Sequence, residues 1–300
     1  MVYGRLGCST LIPLPSVAGV QIRIHGLLPA LLLLAWIFGL GQDALLLLLL
    51  LLSHELAHVL FAHAFGLRLR SLRLLPIGGA MDLDGLERAD PAVEVAVAMA
   101  GPLHNLVLLA VGFLLQVTGV LAPRTGAFFM LANASLSLGN LLPALPLDGG
   151  RVVQALIATQ RGFVQASQTV ELLGKITIWV LILLSAAALF RGWIFVGPLL
   201  FAIFIAMRGS QEGRASRLRG LRTLWQWPGN ELTDAVPVQG IAVPEQFPLH
   251  KLAGRLLPHR YHIVWVVRRG GHADGPWNEA DVWQALQTRG PDARAADLRR

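Results

Sequence analysis

The sequence contains one cysteine, Cys8, in 300 residues. A single cysteine excludes an internal disulfide and a zinc site built from cysteines, so we interpret Cys8 as a small apolar side chain. Charge is also scarce, since Asp, Glu, Lys and Arg make up 14% of the residues while apolar residues make up 54%. The mean hydropathy of +0.58 lies outside the usual range of soluble domains. We therefore predict an integral membrane protein.

The start of the chain does not show the pattern of a secretory signal peptide. Residues 1–20 lack a charged segment followed by a short apolar core and a small-residue cleavage site, so we expect the N-terminus to be retained. Lysine-rich tracts are absent too, although the net charge is +7. Most basic residues are arginines that flank apolar segments, which is typical of membrane topology. We expect no nucleic-acid partner, and we expect the arginines after Met207 to contact anionic lipid.

Long apolar segments predict an α-helical polytopic membrane protein with about six transmembrane helices. A helix needs about 20 residues to cross the hydrocarbon core. The expected spans, of which the first and last are short, are residues 26–41, 44–65, 91–121, 125–141, 170–190 and 193–207. Gly101-Pro102 is expected to bend the third helix.

Two stretches outside these spans predict small β elements. Residues 16–25 alternate apolar and polar side chains as a strand does. Residues 67–83 alternate leucine with arginine, and Pro76 with Gly78-Gly79 excludes a continuing helix. We predict a short surface strand and an arginine-edged hairpin, and we expect the strand at residues 67–75 to pair with an extended substrate.

Basic residues are unevenly distributed between the loops that six spans would create. With the N-terminus inside, the external loops contain only Arg124 and Arg191, and the other loop arginines of the membrane part fall on the internal side. Cytoplasmic loops are enriched in Lys and Arg. We predict a multi-pass protein of the bacterial inner (cell) membrane with both termini in the cytoplasm.

The second span contains the sequence Ser53-His54-Glu55-Leu56-Ala57-His58 after a run of leucines. Helix positions four apart lie above one another, so both histidines face the same way and can bind one metal ion. Glu55 lies beside that ion, as in the zinc-hydrolase signature whose glutamate is a general base. The alternative is that the histidines make helix-packing hydrogen bonds.

A catalytic zinc site needs a third protein ligand. Asp148 is the best candidate, because residues 140–150 interrupt the fourth span with two prolines and two glycines. Irregular backbone at membrane depth is tolerated only against protein or a water-filled cavity, so this interruption is expected to point inward. An ordinary Asp-Gly turn at the membrane surface is an equally open interpretation of Asp148.

Four other polar residues of the spans are candidates for lesser roles. His25 and His63 lie near helix ends, where their side chains are expected to reach the interface. Glu94 and His104 lie in the third span and are expected to form hydrogen bonds between helices. A role in substrate or water access is the alternative for these two.

Three short motifs follow one another along the predicted spans. They are Ser53-His54-Glu55-Leu56-Ala57-His58, then Ala100-Gly101-Pro102-Leu103-His104-Asn105, then Asn140-Leu141-Leu142-Pro143 with Pro146-Leu147-Asp148-Gly149-Gly150-Arg151. Together they resemble the motifs of the site-2 proteases, a family of intramembrane zinc metalloproteases. The resemblance implies that His54, His58 and Asp148 bind one Zn²⁺ per chain. It also implies that Glu55 is the catalytic base and that Asn140 assists substrate binding or the developing oxyanion.

The composition becomes that of a soluble domain from Thr223, so we divide the chain into residues 1–222 and 223–300. Strands at 236–243 and 261–267 and helices at 249–257 and 277–287 predict a small α/β domain. The stretch Gly275-Pro276-Trp277-Asn278-Glu279-Ala280-Asp281-Val282 resembles one cystathionine-beta-synthase-type (CBS) motif. Asn278 stands where that family has Thr or Ser, so we expect a degenerate single module that dimerises or packs on the membrane domain.

These features predict an intramembrane zinc metalloprotease that cleaves membrane-protein substrates within or near their transmembrane helices. The expected partners are such a substrate, the lipid bilayer and a second copy of the chain bound through the tail. One alternative is a catalytically inactive zinc-binding membrane scaffold, which would have no need of Glu55 as a base. The other is a nucleotide-sensing membrane protein whose tail is the active part.

Overall fold

The structure is a computed structural model that describes residues 11–13, 15–16, 20–74, 79–86, 89–191, 196–225, 238–256, 260–268, 270–290 and 292–299. The α-helices in this part of the chain are α1 (Leu27–Ile37), α2 (Gly41–Ala64), α3 (Pro91–Val117), α4 (Pro123–Asn140), α5 (Asp148–Arg161), α6 (Phe163–Phe190), α7 (Gly197–Trp225), α8 (Leu249–Ala253) and α9 (Glu279–Arg289). The strands are β1 (Leu11–Pro13), β2 (Gln21–His25), β3 (Arg68–Leu74), β4 (Gly79–Asp84), β5 (Val238–Pro244), β6 (Tyr261–Val267) and β7 (Ala273–Trp277).

The chain forms two compact units. The first comprises Met1–Leu142 and Leu147–Gly149, and the second comprises Pro143–Pro146 and Gly150–Arg300. The first unit therefore contains α1 to α4, a sheet of β1 to β4, and the first residues of α5.

The sheet of the first unit has the strand order β1-β2-β3-β4. β2 and β3 are parallel and pair Ile24 with Leu74, whereas β3 and β4 are antiparallel and pair Leu72 with Met81. The predicted hairpin is confirmed by β3 and β4. The sequence predicts that residues 67–75 pair with a substrate strand. In the structure, β3 is already paired with β2 on one side and with β4 on the other from Ser71 to Leu74.

α2 and α3 pack against each other in the first unit. α3 begins as the sequence indicates, with Pro91 in the first turn and the Asp90 side chain accepting from the N–H of Ala92 over 2.8 Å. Such a cap satisfies a backbone donor that the first turn leaves open. Gly101 and Pro102 lie inside α3 and are buried.

The helical structure is interrupted between α4 and α5. α4 ends at Asn140, and α5 begins at Asp148, three residues before the predicted restart at residue 151. A glycine at position 149 allows the helix to restart at Asp148, because a Cβ atom there would lie 2.2 Å from the carbonyl oxygen of Leu141. Asp148 is therefore the first residue of a helix, where the positive end of the helix dipole stabilises a carboxylate.

Three helices of the described residues are long and apolar enough to cross a membrane: Gly41–Ala64, Pro91–Val117 and Phe163–Phe190. Leu27–Ile37 and Gly197–Gly209 are apolar but shorter. α4 lies at the fourth predicted span. It is less hydrophobic than the three candidate spans, because it includes Asn133, Ser137 and Asn140. Three candidate spans are thus established, and a count of six stays a prediction.

The second unit ends in a small α/β domain that agrees with the predicted tail. Its sheet has the order β5-β6-β7, with β5 parallel and β7 antiparallel to β6. Leu249, Leu252, Val264 and Val282 are fully buried in its core. α7 runs past residue 222 to Trp225, and the division at 222 stays a prediction.

Candidate metal centre

Two helices bring three potential metal ligands together in the first unit. α2 supplies His54 and His58 from its buried face, and α5 supplies Asp148 as its first residue. His54 Nε2 and His58 Nε2 are 3.1 Å apart, and each lies 3.3 Å from Asp148 Oδ2. Within the described part of the chain these three residues form the group that can hold a metal ion. The histidines are 2% and 3% exposed, so bulk water does not compete for them.

The size of this triangle fits a tetrahedral metal ion. Bonds from zinc to nitrogen or oxygen are about 2.0–2.1 Å long, so a tetrahedral centre separates its ligand atoms by about 3.3 Å. The separations of 3.1 and 3.3 Å agree with that value. Three protein ligands leave one position open, which is the arrangement of catalytic zinc sites.

The polarity of the ligand atoms also fits a cation. His58 Nδ1 lies 2.7 Å from the carbonyl oxygen of Val97, and a carbonyl can only accept, so Nδ1 carries the hydrogen. In the neutral ring, Nε2 then directs a lone pair towards Asp148. A carboxylate oxygen and an imidazole lone pair at this distance repel each other unless a positive charge lies between them. A bound cation would remove that repulsion, so the donor set is compatible with a metal site.

Glu55 is held beside the ligands by strand β4. Its Oε1 accepts a hydrogen bond from the N–H of Gly79 over 3.0 Å, and the residue is 9% exposed. Its carboxylate interacts electrostatically with the two histidines and Asp148 without being one of the three ligands. A buried carboxylate in this position can exchange a proton with a molecule bound at the centre.

Gly101 lets α3 approach the ligand atoms. A Cβ atom at this position would lie 2.3 Å from His58 Nε2 and 2.6 Å from His54 Nε2. Both distances are far below van der Waals contact, so any larger residue would occupy the space between the ligands. The sequence contains Gly101 in one of its three motifs, but only the structure shows this steric reason.

The structure also brings the fifth predicted site residue to the centre. Asn140 is the last residue of α4, and its Nδ2 lies 3.5 Å from His54 Nε2 while donating to the carbonyl oxygen of Leu136 over 3.0 Å. His54, Glu55, His58, Asp148 and Asn140 are therefore neighbours. Their individual roles stay predictions.

Two buried asparagines next to the centre were not predicted as functional. Asn105 Oδ1 lies 2.5 Å from His54 Nδ1, and Asn105 Nδ2 donates to Asn133 Oδ1 over 2.8 Å. Asn105 occurs in the second motif, so the sequence contained a signal for it. Asn133 belongs to no motif, and the sequence contained no signal for it.

The four other polar residues of the predicted spans lie in different surroundings. His25 Nδ1 accepts from the N–H of Leu27 over 3.2 Å at the start of α1. His63 is exposed on α2. His104 is half-buried, as is Glu94, and neither is one of the three potential ligands.

The sequence profile of peptidase family M50 matches residues 42–127 and 117–184 of the chain. The chain belongs to peptidase family M50. The matched residues include both histidines, Glu55 and Asp148, and they end before the tail, so the CBS resemblance stays a prediction.

Relatives in family M50 come from bacteria and archaea. The chain is 33% identical to Rip3 of Mycobacterium tuberculosis over 80% of this chain and 62% of that protein. It is 31% identical to stage IV sporulation protein FB of Bacillus subtilis over 57% of this chain and 66% of that protein. It is 26% identical to a zinc metalloprotease of Methanocaldococcus jannaschii over 85% of this chain and 74% of that protein. The chain thus spans less than two thirds of the length of the first two relatives.

The fold is shared with a solved structure. The site-2 protease from Methanocaldococcus jannaschii superposes with a TM-score of 0.52 at 24% identity, covering 68% of this chain and 95% of that chain. At this identity the similarity establishes a common fold.

Proposed function

We propose that this protein is an intramembrane zinc metalloprotease that hydrolyses peptide bonds within or near transmembrane helices. The observation that carries the proposal is the cluster of His54, His58 and Asp148 with Glu55 beside it, because α2, which supplies both histidines and Glu55, is long and apolar enough to cross a membrane. A charged residue at such depth costs about 2.5–3.5 kcal/mol, so it is retained for a function. The name of the zinc metalloprotease relative from Methanocaldococcus jannaschii supports the same chemistry.

The proposed cofactor is one Zn²⁺ per chain, held by His54 Nε2, His58 Nε2 and Asp148 Oδ2. Imidazole and carboxylate ligands in a tetrahedral arrangement suit this ion. When bound, zinc makes a water molecule nucleophilic at neutral pH and polarises the carbonyl group under attack.

Glu55 is proposed to move the proton. It takes a proton from the attacking water while the water oxygen bonds to the peptide carbonyl carbon, and it gives that proton to the departing nitrogen as the C–N bond breaks. The hydrogen bond from Gly79 holds the carboxylate in place for both steps. Asn140 is proposed to donate from Nδ2 to the developing oxyanion, because this atom lies 3.5 Å from His54 Nε2.

Strand β4 is proposed to hold the substrate in an extended conformation. In the described residues β4 is one of the two edge strands of its sheet, and its first residue donates a hydrogen bond to Glu55. The N–H of Gly79 points away from β3 towards Glu55, and alternate residues of a strand face the same edge. The main-chain groups of Met81 and Leu83 therefore face the free edge. A substrate paired there would be unwound and adjacent to the base.

Metal depletion tests this function directly. The purified full chain is incubated with a single-span test substrate before and after treatment with a zinc chelator. We expect cleavage to stop on depletion and to return when about one equivalent of Zn²⁺ per chain is added. Cleavage that persists in chelated protein with no detectable zinc would reject the proposal.

Two other functions make different predictions. An inactive zinc-binding scaffold would bind zinc and leave every substrate intact. A nucleotide sensor would bind adenine nucleotides through the tail and contain no zinc. The structure gives Asn278 a structural role, since its side chain caps α9 by accepting from the N–H of Asp281 over 2.9 Å. This cap favours the protease over the sensor.

We also propose a six-span arrangement in the cell membrane with both termini in the cytoplasm. It places the starts of α2 and α4 on the external side. Asp43 and Arg124, which lie at these two starts, approach within 3.5 Å as an exposed ion pair. Their proximity supports a common side for the two helix starts.

The tail is proposed to form a homodimer through one face of its sheet. Val238 is paired with Tyr261 and Ala242 with Trp265, so these residues share a face opposite the buried Val264. Val238 is 61% and Trp265 is 37% exposed, which leaves this face apolar and open to a partner. We expect Trp265→Asp to shift the detergent-solubilised protein from dimer to monomer in light scattering. Unchanged mass would reject this interface.

A further inference from the structure

Two asparagine side chains connect His54 to the backbone of α4. Asn105 Oδ1 lies 2.5 Å from His54 Nδ1, Asn105 Nδ2 donates to Asn133 Oδ1 over 2.8 Å, and Asn133 Nδ2 donates to the carbonyl oxygen of Phe129 over 2.9 Å. Asn105 and Asn133 are completely buried. Neither asparagine is one of the potential metal ligands.

The last partner in this chain of contacts determines the direction of every hydrogen bond in it. The carbonyl oxygen of Phe129 can only accept, so Asn133 must direct its NH₂ group there and its oxygen towards Asn105. Asn105 must then direct its NH₂ group to Asn133 and its oxygen to His54. An oxygen at Nδ1 requires the hydrogen of the neutral ring to be on Nδ1, which leaves the Nε2 lone pair for a metal ion.

We infer that Asn105 and Asn133 are positioning residues that fix His54 in the tautomer able to bind metal. The inference rests on the proposed metal-binding role of His54. His58 needs no such pair, because the Val97 carbonyl accepts from its Nδ1 directly. The partner of His54 Nδ1 is instead the side-chain amide of Asn105. This amide can rotate and present its NH₂ group to the ring unless a neighbouring residue holds it. Asn133 is the residue that prevents this turn.

The inference predicts that Asn133 affects zinc binding without touching a ligand. In Asn133→Ala the amide of Asn105 is free to turn and to donate to His54 Nδ1, which favours the tautomer with hydrogen on Nε2. We expect Zn²⁺ affinity, measured by chelator competition on the full chain in detergent, to fall about 10-fold to 100-fold, the range typical of such outer contacts. Ser137→Ala is the matched control, because it also removes a buried hydrogen bond between α3 and α4, to the carbonyl of Pro102. Its zinc affinity should equal that of wild type.

A second set of variants, made in the Asn105→Asp background, distinguishes an effect of amide orientation on zinc affinity from an effect of packing at position 133. Aspartate at position 105 has oxygen at both ends and cannot turn a donor towards His54. In the Asn105→Asp background the aspartate oxygen would face Asn133 Oδ1, so Asn133→Ala removes a repulsion there and should cause no loss: N105D/N133A should bind Zn²⁺ at least as tightly as N105D. If the loss comes instead from the cavity left at position 133, it should be the same in both backgrounds. That result would overturn the inference.

A metal-free measurement covers the case in which the variants with aspartate at position 105 do not fold. In protein with ¹⁵N-labelled histidine and no metal, the His54 resonances of Asn133→Ala should move towards the tautomer protonated on Nε2. Unchanged His54 resonances, or unchanged zinc affinity in Asn133→Ala, would overturn the inference. If His54→Ala itself keeps wild-type zinc affinity, the proposed metal site fails instead, so the two failures are distinguishable.

Discussion

Asp148 is the residue that would turn a pair of histidines into a three-ligand metal centre. Its Oδ2 lies 3.3 Å from both imidazole nitrogens, and its side chain is 14% exposed. The sequence left this residue open between a ligand and a surface turn, because nothing in a linear pattern shows which way an Asp-Gly turn faces. The structure shows it facing the histidines.

We expect Asp148→Ala and His54→Ala to lose bound zinc, because two remaining ligands cannot complete a catalytic centre. Elemental analysis of the purified proteins should show about one zinc per chain in wild type and at least about a tenfold decrease in both variants. His63→Ala is the control, since His63 is an exposed histidine on the same helix. Full zinc occupancy in Asp148→Ala would show that the third ligand is another residue.

Gly101→Ala should abolish zinc binding without unfolding the protein. The added methyl group would lie 2.3 Å from His58 Nε2, in the space that the ion needs. Gly174→Ala is a matched control in another candidate span, because its Cβ would meet Ala144 Cβ at an ordinary 3.6 Å. Zinc content and thermal unfolding of both variants check this. Normal zinc content in Gly101→Ala would contradict the described packing of α3 on the ligands.

At the level of elements, the free edge of β4 is the proposed site for an extended substrate, because the first residue of this strand donates a hydrogen bond to Glu55. The sequence predicted the hairpin from alternation and turn residues. It did not predict that β2 pairs in parallel with β3, because that pairing joins segments about fifty residues apart and leaves no local pattern. The consequence is that β4 has an open edge, whereas β3 is paired on both sides from Ser71 to Leu74.

Met81→Pro should reduce cleavage while preserving the fold. Proline removes the N–H that faces the free edge and leaves the hydrogen bonds from β4 to β3 intact, as edge strands tolerate. We expect kcat/KM to fall about tenfold, the upper range for one lost hydrogen bond. Met81→Ala, which removes only the side chain, is the control. Equal kcat/KM for the proline and alanine variants would remove β4 from the substrate site.

The interruption between α4 and α5 shows which features local sequence signals predict. Prolines and glycines in residues 140–150 predicted the interruption, and α4 and α5 confirm it. The start of α5 at Asp148 was not predicted, because the early restart depends on the contact between Gly149 and the backbone of Leu141. Contacts between Asn105 and Asn133 were likewise invisible, since they join two helices.

At the level of the whole molecule, composition alone predicted a membrane protein, and the three motifs predicted its family. Three helices of the described residues meet the length and apolarity of a span. The shorter helices could not be assigned from sequence or structure in the same way, because a short apolar helix is equally suited to a protein interior. The membrane topology therefore has to be measured by experiment.

We expect single cysteines to report the proposed topology. In a Cys8→Ser background, Ala122→Cys lies at an exposed position before α4, and Gln287→Cys lies at an exposed position on α9. A membrane-impermeant maleimide should label the first in intact cells and the second only after lysis. Labelling of position 287 in intact cells would place the tail outside and reverse the proposed orientation.

The most direct measurement of the central proposal compares wild type with Glu55→Gln on a single-span test substrate. Glutamine keeps the size of the side chain but cannot accept and return a proton, so cleavage should fall at least about a hundredfold. Zinc content should stay at the wild-type level, because Glu55 is not one of the three ligands. Equal cleavage by the two proteins, at equal zinc content, would contradict the assignment of this site as a protease centre.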